Sequence, residues 1–268
     1  MSKSKVWKLI VDKTPLKGSF NMAVDEYLLL SLGEDSQTYL RFYQWEKPTV
    51  SLGYSQNIEK VVNLDYCGEK SIDIVRRITG GKLVLHEKEI TYCLCSSDDK
   101  TFPPMLSDSY RLISQALILG FKKMGVNSYL AADAPTSYIK GNLPCFSYPA
   151  RNEIKVQGKK IVGSAQKRQG SRFIQHGSIP VENNGDLLES ITNLKGGKSN
   201  IRMTSLSEIL GRKLSFDWAV ECLTEGFSEY FGISLKPKIF NAKERQRILR
   251  IQKRRYENKD WTFLAKES

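Results

Sequence analysis

Leu143-Pro-Cys-Phe-Ser-Tyr-Pro-Ala-Arg-Asn-Glu-Ile-Lys-Val-Gln-Gly-Lys-Lys-Ile-Val-Gly-Ser-Ala-Gln166, with Gln175-His-Gly-Ser178 a strand further on, is the stretch around which the chain is organised. It sets Cys145 in a loop between Pro144 and Pro149. Ile154 and Val156 alternate with polar neighbours, Gln157-Gly158 is a turn, and a second strand carries Lys160. Period-two alternation around such a turn predicts a β-hairpin over 153–164, with Lys155 opposite Lys160. Like charges set opposite each other, and burial, both lower a lysine's proton affinity. The run Gly163-Ser164-Ala165 offers a floor that a ligand can approach closely. A soft nucleophile, a strand lysine and a glycine-lined floor thus fall close together. A thiolate forms at modest cost and exchanges readily with thioesters, so Cys145 and Lys160 are the catalytic candidates; the alternative is a buried loop cysteine and a solvated lysine.

Upstream, Ile72–Arg77, Thr79-Gly80-Gly81 and Leu83–Leu85 read as strand, Gly-rich turn, strand. Paired glycines between arginines let backbone N–H groups and guanidinium forks meet an anion. The pattern is neither a Walker loop nor a dinucleotide fingerprint. The alternative is a tight hairpin turn with surface arginines. The chain has two histidines, and both lie at these segments: His86 after the Gly-Gly turn, His176 before Gly177-Ser178.

Further strands are expected at Tyr39–Tyr43, Thr49–Leu52, Ile90–Leu94 and Phe173–Ile179. Helical spacing marks a segment with Phe20, Val24, Tyr27 and Leu28, with Asn21 near its start and Gly33 at its end. It also marks Ser107–Met124, Ser205–Leu210 and Ser215–Tyr230, and a last helix opening on Asn241-x-x-Glu244, a capping-box pattern. Asn183–Asn200 is the loosest stretch. Strands with helices arriving singly predict one α+β domain, residues 1–268, around a largely antiparallel mixed sheet.

The chain has 268 residues, 40% apolar and 26% charged, which suits a sizeable core and excludes disordered and fibrous classes. No apolar run approaches the roughly 18 residues of a membrane helix, and no secretion signal follows the N-terminal lysines, so the expectation is a cytoplasmic protein. Five cysteines without a CxxC argue against a disulfide framework and against zinc. Cys67, Cys93, Cys95 and Cys222 read as apolar filling. Forty-one Lys+Arg against 29 Asp+Glu give +12, which points to an acidic partner. Lys243, Arg245, Arg247, Arg250, Lys253, Arg254 and Arg255 concentrate on the last helix, either as a solvated face or as a docking surface.

Taken together these segments resemble the lipoate/biotin protein ligase and octanoyltransferase superfamily. The likeness rests on Arg76-Arg77-Ile-Thr-Gly-Gly-Lys-Leu-Val-Leu-His86 with Glu89-Ile-Thr-Tyr92, on Gly158–Gln166 and on Gln175–Ile179. It extends to Phe20–Glu26, Arg41-Phe-Tyr-x-Trp45, Ser51-x-Gly-Tyr-x-Gln56 and a tail with Tyr256 and Trp261. Pro144-Cys-Phe-x-x-Pro149 is similar to the cysteine-type octanoyltransferases of lipoate assembly, the LipM type. The resemblance implies the fold of that superfamily, without a separate accessory domain. It implies that Cys145 takes octanoyl from an acyl carrier protein thioester and that a lipoyl-domain lysine, on the glycine cleavage H protein, receives it. Lys160 would assist proton transfer. Arg76, Arg77, Thr79, Gly80, Gly81, Gly163, Ser164, Ala165 and Gly177 would line the acyl pocket, with His86 and His176 at its rim. The expected enzyme is a monomer that uses no cofactor and no metal, and binds neither nucleic acid nor membrane.

One segment departs from that pattern. Ala150-Arg151-Asn152-Glu153 looks more like the version found in ATP-dependent lipoate-protein ligases. Such a ligase, or an octanoyl-H-protein amidotransferase, is the alternative. A basic nucleic-acid-binding domain is the alternative of another class, and the sequence lacks a helix-turn-helix, zinc or RRM signature for it.

Overall fold

The computed structural model describes residues 5–33, 35–131, 153–193 and 203–266. Cys145 and Ala150–Asn152 lie outside the described residues. The strands are β1 (Lys5–Val11), β2 (Thr38–Tyr43), β3 (Thr49–Leu52), β4 (Asp73–Arg76), β5 (Val84–His86), β6 (Glu89–Ser96), β7 (Tyr129–Leu130), β8 (Ile154–Val156), β9 (Lys159–Lys160), β10 (Gly163–Gln169), β11 (Arg172–Pro180) and β12 (Ile233–Pro237). The helices are α1 (Gly18–Leu30), α2 (Ile58–Val61), α3 (Leu64–Glu69), α4 (Leu106–Lys123), α5 (Gly185–Ser190), α6 (Leu206–Leu210), α7 (Phe216–Phe231), α8 (Ala242–Ile251) and α9 (Lys259–Leu264), with a π-helical turn at Gln252–Tyr256.

Six strands form the main sheet in the order β10-β11-β6-β2-β1-β12. The β10, β11, β6 and β2 neighbours run antiparallel, while β1 pairs parallel with both β2 and β12. Every residue of β6, Glu-Ile-Thr-Tyr-Cys-Leu-Cys-Ser, is buried, because the sheet is covered on both faces. On one face lie α4 and α7, packed with Phe42, Tyr92, Leu94 and Phe173. These two helices approach closely because both contacts are glycine: a Cβ on Gly226 would sit 2.3 Å from the Gly120 nitrogen. On the other face lie α1 and the C-terminal helices, with Leu28, Tyr43, Cys93 and Trp261 in one cluster.

A second, three-stranded sheet has the order β4-β3-β5, β3 running parallel to β4 and antiparallel to β5. The Gly-Gly segment is therefore not the tight hairpin turn weighed above. Its flanking strands do not pair with each other; β3 lies between them, and the segment crosses over it. The third sheet, β7-β8-β9, contains the predicted hairpin, with Lys155 opposite Lys160. Gln157 and Gly158 both take positive φ there, as a two-residue hairpin turn demands.

Candidate active site

Where β3 and β5 face β10, β11 and β6, the six-stranded sheet and the β4-β3-β5 sheet leave a cleft between them. Of the residues singled out from sequence, Arg77, Gly81, His86, Gly163, Ser164, Ala165, His176 and Gly177 line it. Met22, Tyr43, Ser51, Thr91 and Ser178 line it as well. The sheet register explains the grouping: Gly163 pairs Ser178, Ser178 pairs Thr91 and Thr91 pairs Tyr43, so these four form one row across the sheet.

The Gly80-Gly81 turn closes one side of the cleft. Gly81 has φ +89°, a conformation that side chains disfavour. Arg77 holds the turn from inside, donating from Nη2 to the carbonyls of Gly80 (2.9 Å) and Lys82 (2.8 Å). Gly53 backs it so tightly that a Cβ there would lie 2.1 Å from the Gly81 oxygen.

Arg77 also donates to the Ser51 hydroxyl (2.9 Å), which itself meets His86 Nε2 at 2.7 Å. A guanidinium can only donate, so the Ser51 oxygen accepts from Arg77 and its proton remains available to a buried, neutral Nε2. That assigns the His86 proton to Nδ1, which faces Glu89 Oε1 at 3.5 Å. Burial pushes the His86 pKa down, against the opposing pull of Glu89. A neutral ring results, stacked on Trp45 with centroids 3.9 Å apart.

His176 sits on a buried charge network. Its Nδ1 lies 2.9 Å from Asp25 Oδ2, and its Nε2 lies 2.7 Å from the Thr79 hydroxyl. Asp25 is fully buried on α1 and also accepts from Arg41 Nη1 (2.8 Å) and Tyr43 (2.9 Å). Burial works to raise the Asp25 pKa, but the His176 hydrogen bond and the Arg41 charge outweigh it, and the carboxyl stays below its ordinary value. Burial, and then Asp25, push the Tyr43 phenol well up. An ionised Asp25 accepts only, so it fixes a proton on His176 Nδ1, while Nε2 meets the Thr79 hydroxyl. Thr79 is buried behind the wall, whereas Gly80 is exposed.

Arg76, expected in the pocket, is elsewhere. Its guanidinium donates to six backbone carbonyls: Gly53, Tyr54 and Gln56 on one side, Trp261, Thr262 and Phe263 on the other. It ties α9 to the loop behind the Gly-Gly turn, and Trp261 Nε1 returns a bond to the Arg76 carbonyl (2.8 Å).

Lys160 is buried and ion-paired with Glu153 at 2.5 Å. Its ammonium therefore has a carboxylate beside it as well as the like-charged Lys155 inferred from the turn. The described wall of the cleft begins three residues later, at Gly163. The four described cysteines are buried, and burial raises each thiol pKa.

Residues 17–228 match the model of the lipoyl protein ligase A/B catalytic domain. The chain belongs to this family. Curated relatives span its length: the octanoyltransferase LipM of Bacillus anthracis is 36% identical over 261 residues, covering 91% of this chain and 94% of the relative. That of Geobacillus kaustophilus is 34% identical over 276 residues, covering 97% and 98%. Among solved structures, a lipoate-protein ligase A bound with ATP superposes with TM-score 0.81 at 23% identity, covering 96% of this chain and 98% of that one. The bi-partite lipoate protein ligase of Thermoplasma acidophilum gives TM-score 0.81 at 21% identity, covering 98% of each. The fold is the lipoate ligase-like fold that the motifs implied, and no helix among the described residues is long and apolar enough to cross a membrane.

The sequence reading missed Ser51, Gly53, Asp25, Arg41, Tyr43 and Glu153 as site residues. All six stood inside quoted motifs, Phe20–Glu26, Arg41–Trp45, Ser51–Gln56 and Ala150–Glu153, to which no role was attached. A buried Asp and Arg sharing one network are the signal that could have found two of them, since charges are seldom fully buried unless paired.

Proposed function

We propose that this chain is an octanoyltransferase of lipoate biosynthesis that works through an acyl-cysteine at Cys145. Octanoyl transfer is the activity named for its full-length relatives. The observation that carries the covalent route is one of exclusion. Cys67, Cys93, Cys95 and Cys222 are packed into cores that hold their thiols protonated. Cys145 is the remaining cysteine of the five, and it stands eight positions before the Glu153 that grips Lys160.

The thiolate of Cys145 attacks the carbonyl of an octanoyl thioester on acyl carrier protein. A new C–S bond forms and the carrier leaves as a thiol. This is thioester exchange and nearly isoenergetic, so no other activation is needed. A lysine amine of a lipoyl domain, on the glycine cleavage H protein, then attacks the acyl-cysteine. The more stable amide forms, Cys145 departs as thiolate, and the proton shed by the amine returns to the Lys160 amine that had protonated the carrier sulfur. Lys160 carries protons that it can direct to the leaving sulfur or the carbonyl oxygen, and Glu153 fixes where its head group points. Arg77 and the Gly81 turn face Gly163–Ala165 across the cleft that would take the acyl chain, with neutral His86 and Trp45 beside it.

The test is transfer itself. Octanoyl-acyl carrier protein and apo lipoyl domain, mixed with the enzyme without ATP, should yield octanoylated lipoyl domain by intact mass. Modification that needs ATP and a free fatty acid would instead make the chain a ligase, with Ala150–Glu153 as the better guide.

A further inference from the structure

The last twenty residues before α9 ends its first turn, 241–260, hold eight Lys or Arg against three Asp or Glu, +5 of the chain's +12. The structure shows how that charge is arranged. Ile248, Gln252 and Tyr256 are buried on the side that packs against α1. Lys243, Arg247 and Arg250 are exposed and stand at i, i+4 and i+7, which at about 100° per residue confines them to one stripe roughly 60° wide. From Lys243 to Arg250 the row is on the order of 10 Å long at 1.5 Å per residue.

Two of the three carboxylates of the region, Glu244 and Glu257, are turned to other work. Glu244 closes the α8 capping box through the Asn241 nitrogen and holds Lys238 at 2.7 Å. Glu257 accepts from Gln252, and Glu26 on α1 faces Arg255. Among the described residues none of the ion pairs includes Lys243, Arg247 or Arg250. Like charges at i, i+4 destabilise a helix, so this alignment works against the fold that carries it.

We propose that this stripe is the docking surface for an acidic face of the acyl-donor protein, a helix whose carboxylates repeat at the same three- and four-residue spacing. Its length and single-file geometry match one helix laid along another. On α8, Ile248 is buried against α1 and Leu249 is the one large apolar side chain left exposed, too little for the broad apolar face with which a membrane-lying helix inserts. The stripe is also joined to the site. The buried side of α8 rests on α1, which presents Met22 to the cleft and Asp25 to His176. Just beyond it, α9 is tied through Arg76 to the loop behind Gly81.

The inference rests on the reading that a protein delivers the acyl group, and the test separates the two. Lys243→Glu/Arg247→Glu/Arg250→Glu is compared with wild type, using octanoyl-acyl carrier protein and octanoyl-pantetheine as alternative donors. A Gln triple controls for charge loss without reversal. The Glu triple should raise KM for the carrier protein roughly tenfold or more, the Gln triple less, with kcat unchanged. KM for octanoyl-pantetheine should not move. Raising salt should weaken the carrier for wild type and much less for the Glu triple. Equal losses with both donors, or no change with the carrier, would overturn the proposal. Carrier binding measured without turnover decides the stripe even if neither donor is used, an outcome that would sink the transferase reading alone. Loss of binding to RNA or anionic vesicles, with carrier binding intact, would also overturn it.

Discussion

Gly53→Ala should be a catalytic lesion in a protein that still folds. The added Cβ would lie 2.1 Å from the Gly81 oxygen and 2.9 Å from its carbonyl carbon. Non-bonded carbons and oxygens settle near 3.5 Å, so the Gly80-Gly81 turn has to retreat by about 1 Å or more. Neither partner is a flexible side chain. Arg77 and Thr79 hold the turn from the other side, and Gly53 is itself held through its carbonyl by Arg76. Overpacking of this kind costs roughly 1–3 kcal/mol, a Tm loss of some 2–12 °C for a chain of this size. A wall displaced by about 1 Å costs on the order of a hundredfold in rate where orientation matters. The assay is steady-state octanoyl transfer beside a thermal melt. We expect kcat/KM down about a hundredfold and a folded protein. A variant within threefold of wild type would refute the assignment of the Gly81 turn to the reactive cleft.

Asp25→Asn removes the anion that Arg41 and His176 share, leaving a buried guanidinium undercompensated at a cost of about 3–5 kcal/mol; a melt should show Tm lower by roughly 10 °C. The Asp25 pKa is held below its ordinary 3.8, so its contribution is complete above that pH and fades as pH falls below it. Denaturant titrations should therefore show the stability gap between wild type and the Asp25→Asn variant constant from pH 7 to about 5 and narrowing below 3.8; a gap that widens in acid would contradict the assignment. Arg76→Lys offers three donors where six carbonyls were met, costing about 1–3 kcal/mol, and should speed protease cleavage around 259–266. Lys160→Arg keeps charge but cannot readily release a proton, its pKa being above about 12; it should lower kcat more than it changes donor KM, and equal effects would leave Lys160 a positioning charge.

Much of this was legible in the chain because local rules and tertiary packing agree. Thr49–Leu52 is β3 without adjustment, Asn241 and Glu244 form the expected capping box, and Gly232 closes α7 in the left-handed conformation. The Gln157-Gly158 turn put Lys155 opposite Lys160 as read. Elements defined by distant partners were not legible. Strands β1 and β12 pair across more than two hundred residues; Lys5–Val11 does not alternate strongly, and the alternation of Ile233-Ser-Leu-Lys236 is too short to stand without its partner. The Gly-Gly segment looked like a hairpin because nothing local reveals that β3 threads between its flanks. Asn21 does stand near the start of α1, which begins at Gly18, but nothing local showed that its side-chain oxygen accepts from Arg41. Arg76 and Arg77 are neighbours with the same chemistry, and successive residues of a strand point to opposite faces. Their destinations, the C-terminal helix and the cleft, depend on which face meets which layer.

The covalent route through Cys145 can be tested in one measurement. The enzyme is mixed with octanoyl-acyl carrier protein in the absence of acceptor and ATP, and its intact mass is read before and after hydroxylamine. The account predicts one octanoyl adduct, removed by hydroxylamine and absent from Cys145→Ser, with the other four cysteines unmodified. An adduct that persists in Cys145→Ser, or full transfer by that variant with no adduct at any time, would contradict it.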